Sequence, residues 1–292
     1  MNPALLEKLR GLRGHLQSEI IGQDEAIDSI APLLQAGELG LASPEHPKAS
    51  FLFLGPTGVG KTELAKCFTE YLLGKGHLLR MDMSAYQHPE SVKQLLDRNS
   101  APWLPWDRLE DREPWTVLWD EIEKAHPAIL DLLLQILDTG ILTLVDGTSV
   151  DFTRHYVVLT SNIASLAICR SRQKGAALER FVRDQAEKHL RPELVARLDG
   201  VLVFRRLENE DLLRIRKKFW RAEQARLKQL GLPVSMEMPE VGIASPHNGA
   251  RGIRREVGSE IRRSVINRIL DCGTLTPHDS HGFSDEKVAR IG

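Results

Sequence analysis

Eight consecutive residues early in the chain have the types and spacing that bind a nucleotide phosphate. Residues 55–62 read Gly-Pro-Thr-Gly-Val-Gly-Lys-Thr, which matches the template G-x-x-x-x-G-K-[ST] at every fixed position. Glycines let the backbone curl so that several N–H groups face one anion. The lysine of such a loop reaches the β- and γ-phosphates, and the hydroxyl of the last residue holds Mg²⁺. We therefore expect a nucleoside triphosphate to bind the loop residues Gly55, Pro56, Thr57, Gly58, Val59, Gly60, Lys61 and Thr62, with Thr62 as a Mg²⁺ ligand.

Two acidic residues, Asp120 and Glu121, directly follow the apolar run 116–119. Mg²⁺ prefers carboxylates and retained waters, and a second carboxylate can orient and deprotonate the water that attacks a γ-phosphate. Acidic residues are also favoured where a helix begins, which is the alternative interpretation of the pair taken alone. Beside a phosphate loop, the pair predicts a Mg²⁺ ligand at Asp120 and a catalytic base at Glu121.

The segments that must position these residues alternate between strand and helix patterns. Helices are predicted over 4–36, with an interruption at 20–23, over 61–73, and from Pro127 to a stop at Gly140. Strands are predicted at 51–54, 78–81, 116–119, 156–160 and 201–204. This alternation predicts an α/β fold with a parallel sheet that has helices on both faces.

The pattern changes after residue 207, where two long helical segments, 208–230 and 249–270, replace the alternation. We expect a large nucleotide-binding domain over 1–206 and a small, mostly helical domain over 207–273. Residues 274–292 are polar and rich in Gly and His, so we expect a poorly ordered tail.

Composition places the chain among ordinary globular proteins. Of its 292 residues, 42% are hydrophobic and 27% are charged, and the net charge of −1 gives no general attraction to nucleic acid or anionic lipid. Its three cysteines are too far apart for a C-x-x-C site. No apolar run is long enough to span a bilayer, and the N-terminal residues are charged too early for a signal peptide. We therefore expect a cytoplasmic protein without membrane contact.

The motifs, taken in order, resemble those of the Clp-type AAA+ ATPases, and specifically the second ATPase module of the Clp disaggregases and unfoldases. The resemblance covers about residues 15–265. It rests on residues 21–26 (IGQDEA), 51–66 (FLFLGPTGVGKTELAK), 81–84 (MDMS), 120–127 (DEIEKAHP), 132–138 (LLLQILD), 150–152 (VDF), 160–162 (TSN), 191–199 (RPELVARLD) and 249–251 (GAR). The implied fold is an AAA+ P-loop NTPase with a small helical C-terminal domain.

Further site residues follow from the resemblance. Asn162 matches the first sensor, which places the attacking water, and Arg251 matches the second sensor on the small domain. Arg197 matches the arginine finger, which stabilises transition-state charge in the neighbouring subunit. Ile20 and Ile21 match the apolar pair that sandwiches adenine. Taken singly, an asparagine can cap a helix and an arginine can form a surface salt bridge, so only the motif context supports these roles.

The resemblance implies ATP and Mg²⁺ as ligands, a homo-oligomeric ring that is a hexamer in this family, and a protein or protein complex that is remodelled or unfolded. The alternative is a nucleotide-switched assembly factor or loader that recruits a protein or nucleic acid without threading a polypeptide. Its sequence support is three basic clusters, at 216–218, 254–255 and 262–263. Such clusters are typical of solvated faces or ring interfaces, so we do not expect nucleic acid as a partner.

The chain departs from the family where Clp unfoldases carry a Gly-Tyr-Val-Gly-Tyr loop. Residues 101–106 instead read Ala-Pro-Trp-Leu-Pro-Trp. Trp103 and Trp106 keep the i, i+3 spacing of the aromatic pair and form a candidate substrate loop. The alternative is that these tryptophans pack inside the protein or contact a partner.

Other family features are missing from this sequence. No Ile-Gly-Leu or Ile-Gly-Phe tripeptide lies between Asn162 and Arg191, so we do not expect the Clp peptidase as a partner. We also expect no receiving N-terminal domain, first ATPase module or coiled-coil insertion.

Overall fold

The computed structural model of the protein describes residues 2–98, 106–110, 113–170, 175–232, 238 and 249–271. Its strands are β1 (Ala49–Leu54), β2 (Leu78–Asp82), β3 (Thr116–Asp120), β4 (Ile141–Thr143), β5 (Ser149–Asp151), β6 (Tyr156–Ser161) and β7 (Gly200–Val203). Five of them form a parallel sheet in the order β2-β3-β6-β1-β7, and β4 and β5 form a separate antiparallel pair.

Helices follow most of the strands. They are α1 (Pro3–Glu19), α2 (Asp24–Glu38), α3 (Lys61–Leu72), α4 (Pro89–Leu96), α5 (Trp106–Glu110), α6 (Pro127–Thr139), α7 (Ser165–Arg170), α8 (Ala176–His189), α9 (Pro192–Arg197), α10 (Asn209–Gln229) and α11 (Gly249–Asp271). Two single 3-10 turns span 83–85 and 122–124. No described helix is long and apolar enough to cross a membrane.

The sheet is buried on both faces because its side chains alternate between two apolar clusters. On β1, Phe51 and Phe53 pack with residues of α1, α2, α3, α10 and α11. Leu52 and Leu54 point the other way and pack with residues of α4, α6, α8 and α9. The α/β fold with helices on both faces, predicted from the alternation of patterns, is confirmed.

The strand order brings the predicted site residues to one edge of the sheet. All five strands are parallel, so their carboxyl ends lie along the same edge. Strand β6 lies between β3 and β1. Asn162, which follows β6, is therefore placed between Asp120 at the end of β3 and the glycine-rich loop that follows β1.

Most of the predicted elements are present with shifts of one or two residues. The interruption at 20–23 separates α1 from α2, and the two long C-terminal segments are α10 and α11. The division into domains at residues 206–207 stays a prediction, and the predicted tail at 274–292 lies outside the described residues.

The basic clusters are not simple solvated faces. The Arg216 side chain is buried and its Nη2 donates to Glu260 at 2.7 Å. Lys218 Nζ lies 2.8 Å from a carboxylate oxygen of Glu19, and the guanidinium of Arg254 lies over the ring of Phe219. These side chains join α10 to α1 and α11. The remaining members of the clusters agree with the expectation of a solvated face or ring interface, since Lys217, Arg255, Arg262 and Arg263 are exposed, as is Arg254.

Trp106 is part of the core, which contradicts its place in a substrate loop in this conformation. Its side chain is only 1% exposed, its indole N–H donates to the carbonyl oxygen of Leu95 at 2.8 Å, and its ring meets Phe152 edge-on. A side chain held on all sides cannot grip a polypeptide, so packing is the alternative that applies to Trp106. Trp103 lies outside the described residues.

Candidate functional site

The glycine-rich loop lines a cavity of about 450 Å³, a size that suits a small-molecule ligand. The loop connects β1 directly to α3, with Gly60 at the N-cap position of the helix. Gly58 and Gly60 have φ angles of +79° and +114°, which other residues rarely adopt. The first N–H groups of α3 and the positive end of its dipole therefore face the cavity.

Lys61 bends back over the loop. Its Nζ donates to the carbonyl oxygens of Gly55 and Pro56 and to Oδ1 of Asn162, the last at 2.9 Å. Burial lowers the pKa of Lys61 from 10.5 to about 8, while the nearby carboxylate of Glu123 acts in the opposite direction. The ammonium is thus held by neutral oxygens at a position that an anionic ligand can take over.

Asp120 is nearly buried, and both of its carboxylate oxygens have donors. The hydroxyl of Thr160 donates to Oδ1, and Arg80 donates to Oδ2 from Nε at 2.9 Å and Nη2 at 2.6 Å. Thr62 lines the same cavity as Asp120. A carboxylate and a hydroxyl facing one cavity are the hard oxygen donors that Mg²⁺ prefers, so these two residues fit the ion.

Glu121 also lines the cavity, and its backbone is in the left-handed region with φ +59°. Its backbone N–H donates to the Thr160 hydroxyl oxygen at 3.1 Å. Its carboxylate forms an ion pair with Lys124, three residues further on. The predicted base is thus neutralised by a lysine of its own segment.

Asn162 connects the loop to the acidic segment. Its Oδ1 accepts hydrogen bonds from Lys61 and from the Thr57 hydroxyl, and its backbone N–H donates to Oε1 of Glu123 at 3.1 Å. The other oxygen of Glu123 is buried and has no hydrogen-bond partner among the described residues. Glu123 was not predicted as a site residue, although it lies within the DEIEKAHP motif.

Ile20 and Ile21 also line the cavity, as do Ile215 and Phe219 of α10. They occupy the break between α1 and α2, where Gln23 fixes the backbone. Gln23 is buried, and its Nε2 donates to the carbonyl oxygens of Val59 and Arg205 at 3.1 and 3.0 Å. Gln23 was not predicted as a site residue, although the quoted IGQDEA motif contains it.

Arg251 reaches the cavity from α11, as does Arg254. The helix begins in direct contact with the phosphate loop, because the Ala250 N–H donates to the carbonyl oxygen of Gly58 at 2.9 Å. Gly249 has φ +54°, and a Cβ atom there would lie 2.6 Å from the same oxygen. Only glycine fits at this position without moving α11 away from the loop.

Arg197 is not among the described residues that line the cavity. It lies at the end of α9, and its guanidinium forms an ion pair with Asp138 at the end of α6. Its side chain is 39% exposed. This position leaves it available to a neighbouring molecule but not to the cavity of its own chain.

The chain matches a known protein family and is similar to several curated proteins. The family described as "AAA domain (Cdc48 subfamily)" matches residues 46–201. The chaperone protein ClpB of Meiothermus ruber is 37% identical over 283 residues, which are 90% of this chain and 33% of the relative. Heat shock protein 100 of Trypanosoma brucei brucei is 36% identical over 292 residues, 94% of this chain and 33% of the relative.

The fold of the chain is also similar to that of a solved structure. The closed-state cryo-EM reconstruction of Hsp104 with ATPγS and FITC-casein has a TM-score of 0.81 and 28% identity to this chain. It is matched over 93% of this chain and 49% of its own. The chain spans about a third of the length of the curated relatives it matches.

Proposed function

Because the chain belongs to the AAA domain family (Cdc48 subfamily) and is related to the ClpB and Hsp104 chaperones, we propose that it binds ATP with Mg²⁺ and hydrolyses it. The observation that carries this proposal is the cavity that joins Lys61, Asp120, Glu121, Asn162 and Arg251. These residues come from four separate segments, so their convergence is a property of the fold. Their chemistry matches the needs of phosphoryl transfer.

Each residue then has a defined part in the reaction. Lys61 exchanges its carbonyl partners for the β- and γ-phosphate oxygens, and Asn162 is left to place the attacking water. Glu121 accepts a proton from that water as the new phosphorus–oxygen bond forms and the bond to the β–γ bridging oxygen breaks. Mg²⁺, held through Thr62 and Asp120, supplies charge compensation on the phosphates.

Before Glu121 can act as a base, its ion pair with Lys124 must open. The adenine end of the cavity is assigned to Ile20 and Ile21. Arg251 and Arg197 supply positive charge to the phosphates, Arg251 from the same chain and Arg197 from an adjoining copy. This arrangement supports a ring-shaped homo-oligomer, a hexamer by the family resemblance.

We propose that the hydrolysis remodels or unfolds a protein or protein complex. The support is the similarity to proteins named as ClpB chaperones and to an Hsp104 structure that contains casein. The loader alternative has lost part of its support, since Arg216, Lys218 and Arg254 are engaged within the chain. The cytoplasmic location stays a prediction.

The experiment compares two variants for nucleotide binding and phosphate release. Glu121→Gln keeps the loop and the Mg²⁺ ligands, so we expect normal binding of a fluorescent ATP analogue and a loss of hydrolysis of about a hundredfold or more. Lys61→Ala removes the phosphate contact, so binding itself is lost. Unchanged hydrolysis in Glu121→Gln overturns the assignment of the base, and unchanged binding in Lys61→Ala overturns the assignment of the site.

A further inference from the structure

Arg80 is a cavity-lining cation to which no sequence motif assigned a role. It lies on β2, next to β3, and the register of the two strands pairs Met81 with Trp119 and Asp82 with Asp120. Its side chain extends toward the carboxyl edge of the sheet, where the guanidinium contacts Asp120. Arg80 lines the same cavity as Thr62.

The two oxygens of Asp120 differ in their partners, and Arg80 occupies one of them with two donors. Oδ1 accepts the Thr160 hydroxyl, which is a buried contact. Oδ2 accepts both Nε and Nη2 of Arg80, at 2.9 and 2.6 Å. These two donors use both lone pairs of Oδ2, through which the oxygen would otherwise bind a metal ion. Mg²⁺ and Arg80 are therefore in competition for the same lone pairs of Asp120.

Exposure indicates which partner of this pair moves. The Asp120 side chain is 9% exposed and is fixed by Thr160, whereas the Arg80 side chain is 49% exposed. Asp82 follows two residues later on the same strand face and also lines the cavity, and its Oδ1 accepts the backbone N–H and the hydroxyl of Ser84. The guanidinium can thus leave Asp120 and still have a carboxylate beside it.

We propose that Arg80 is a placeholder for the metal ion: it neutralises Asp120 when no other cation is bound there, and a Mg²⁺ ion bound through Oδ2 would displace it. This inference rests on the proposed function, because it takes Asp120 as the residue that holds Mg²⁺. Arg80 is then a positioning residue. It keeps the nearly buried carboxylate in place, and it sets how much Mg²⁺ is required to hold the nucleotide.

The test measures the free Mg²⁺ concentration at which the affinity for mant-ATP is midway between its values in EDTA and in saturating Mg²⁺. Arg80→Gln removes the competing cation, so we expect this midpoint to fall by about threefold or more. Arg80→Lys has a single ammonium that cannot reproduce both contacts, so its midpoint should lie between the two. Arg13→Gln is the matched control, because Arg13 pairs with Asp28 and neither residue lines the cavity.

The outcomes separate this inference from the function on which it rests. A midpoint for Arg80→Gln that equals or exceeds that of the unchanged protein overturns the placeholder role. If the unchanged protein binds no mant-ATP at any Mg²⁺ concentration, the proposed function itself is wrong. Should circular dichroism show that Arg80→Gln is unfolded, the comparison is made with Arg80→Lys, whose unchanged midpoint overturns the inference equally.

Discussion

At the scale of residues, three charged groups of the cavity already have partners within the chain. Lys61 is held by Asn162 and two carbonyl oxygens, Asp120 by Arg80, and Glu121 by Lys124. Each pairing occupies a group that the proposed reaction needs. In the proposed reaction, ATP and Mg²⁺ must therefore displace these partners from Lys61, Asp120 and Glu121.

Glu123 provides a test of how Asn162 is positioned. Its Oε1 accepts the backbone N–H of Asn162, so Glu123→Ala should lower the preference for ATPγS over ADP by about tenfold, as Asn162→Ala should. Glu123→Gln retains an acceptor oxygen and should keep most of the preference. Both affinities are measured by competition with a fluorescent nucleotide, with Glu70→Ala as an exposed control.

The double variant decides between positioning and general destabilisation. If Glu123 acts through Asn162, then Glu123→Ala adds no further loss in the Asn162→Ala background. Additive losses in the double variant contradict the positioning role.

The loop residues and the acidic pair could be predicted from the sequence because their spacing is local. Arg80 and Glu123 could not, since their roles depend on which strands are neighbours in the sheet. One signal was present: Arg80 interrupts an otherwise apolar strand at 78–81. A charge in such a strand needs a partner at the edge of the sheet, and the partner here is Asp120.

At the scale of elements, α5 is fixed to the body of the protein by Trp106. Trp106→Ala should lower the free energy of unfolding by about 3–5 kcal/mol, because it leaves a large cavity in the core. Trp106→Phe keeps most of the packing and loses the bond to Leu95, which costs about 1–2 kcal/mol. Chemical denaturation measures both. Unchanged stability together with lost substrate remodelling would instead support the substrate-loop hypothesis.

The buried side chain of His155 contacts α5, and we expect it to make the stability of the protein depend on pH. His155 Nδ1 accepts the backbone N–H of Trp115, and its Nε2 donates to the carbonyl oxygen of Leu109 on α5. Burial lowers the pKa of His155 below its usual 6.5, so the unfolded chain takes up a proton more readily than the folded protein. The free energy of unfolding should therefore fall as pH drops below about 6.5.

Denaturation curves at pH 7.5 and 5.5 test this dependence. His155→Gln should lose less stability between the two pH values than the unchanged protein does. His46→Gln, at an exposed position, should behave like the unchanged protein. An equal loss in both variants would mean that other groups cause the acid sensitivity.

Most of the long, periodic elements were predicted well, but α8, with 14 residues, and the shortest elements were not. Strands β4 and β5 have three residues each, and α5 has five. Segments of this length show too few periods to be recognised. Their conformation is set by contacts such as that of Trp106 with Phe152, which join residues far apart in the sequence.

At the scale of the whole molecule, the proposal that Arg197 acts on the nucleotide of an adjoining chain can be tested by mixing variants. We expect Arg197→Ala and Lys61→Ala each to hydrolyse ATP poorly alone. A mixture of the two should recover part of the rate, because an Arg197→Ala cavity can face an intact Arg197 on a Lys61→Ala neighbour. Phosphate release is measured across mixing ratios, with Arg226→Ala as a control for an exposed, ion-paired arginine.

Recovery in the mixture requires that the two chains meet at one nucleotide. A rate that is simply the average of the two variants contradicts a shared site. Full activity of Arg197→Ala alone removes the role of this arginine.

The joint between α11 and the phosphate loop uses main-chain atoms, the amide of Ala250 and the carbonyl of Gly58. Such a joint does not depend on side-chain identity except at Gly249, where nothing larger than hydrogen is accommodated. The charged residues around it can therefore be substituted without loss of this hydrogen bond. Divergent copies of this module can therefore differ in surface chemistry and still keep the same main-chain contact between the glycine-rich loop and the C-terminal helix.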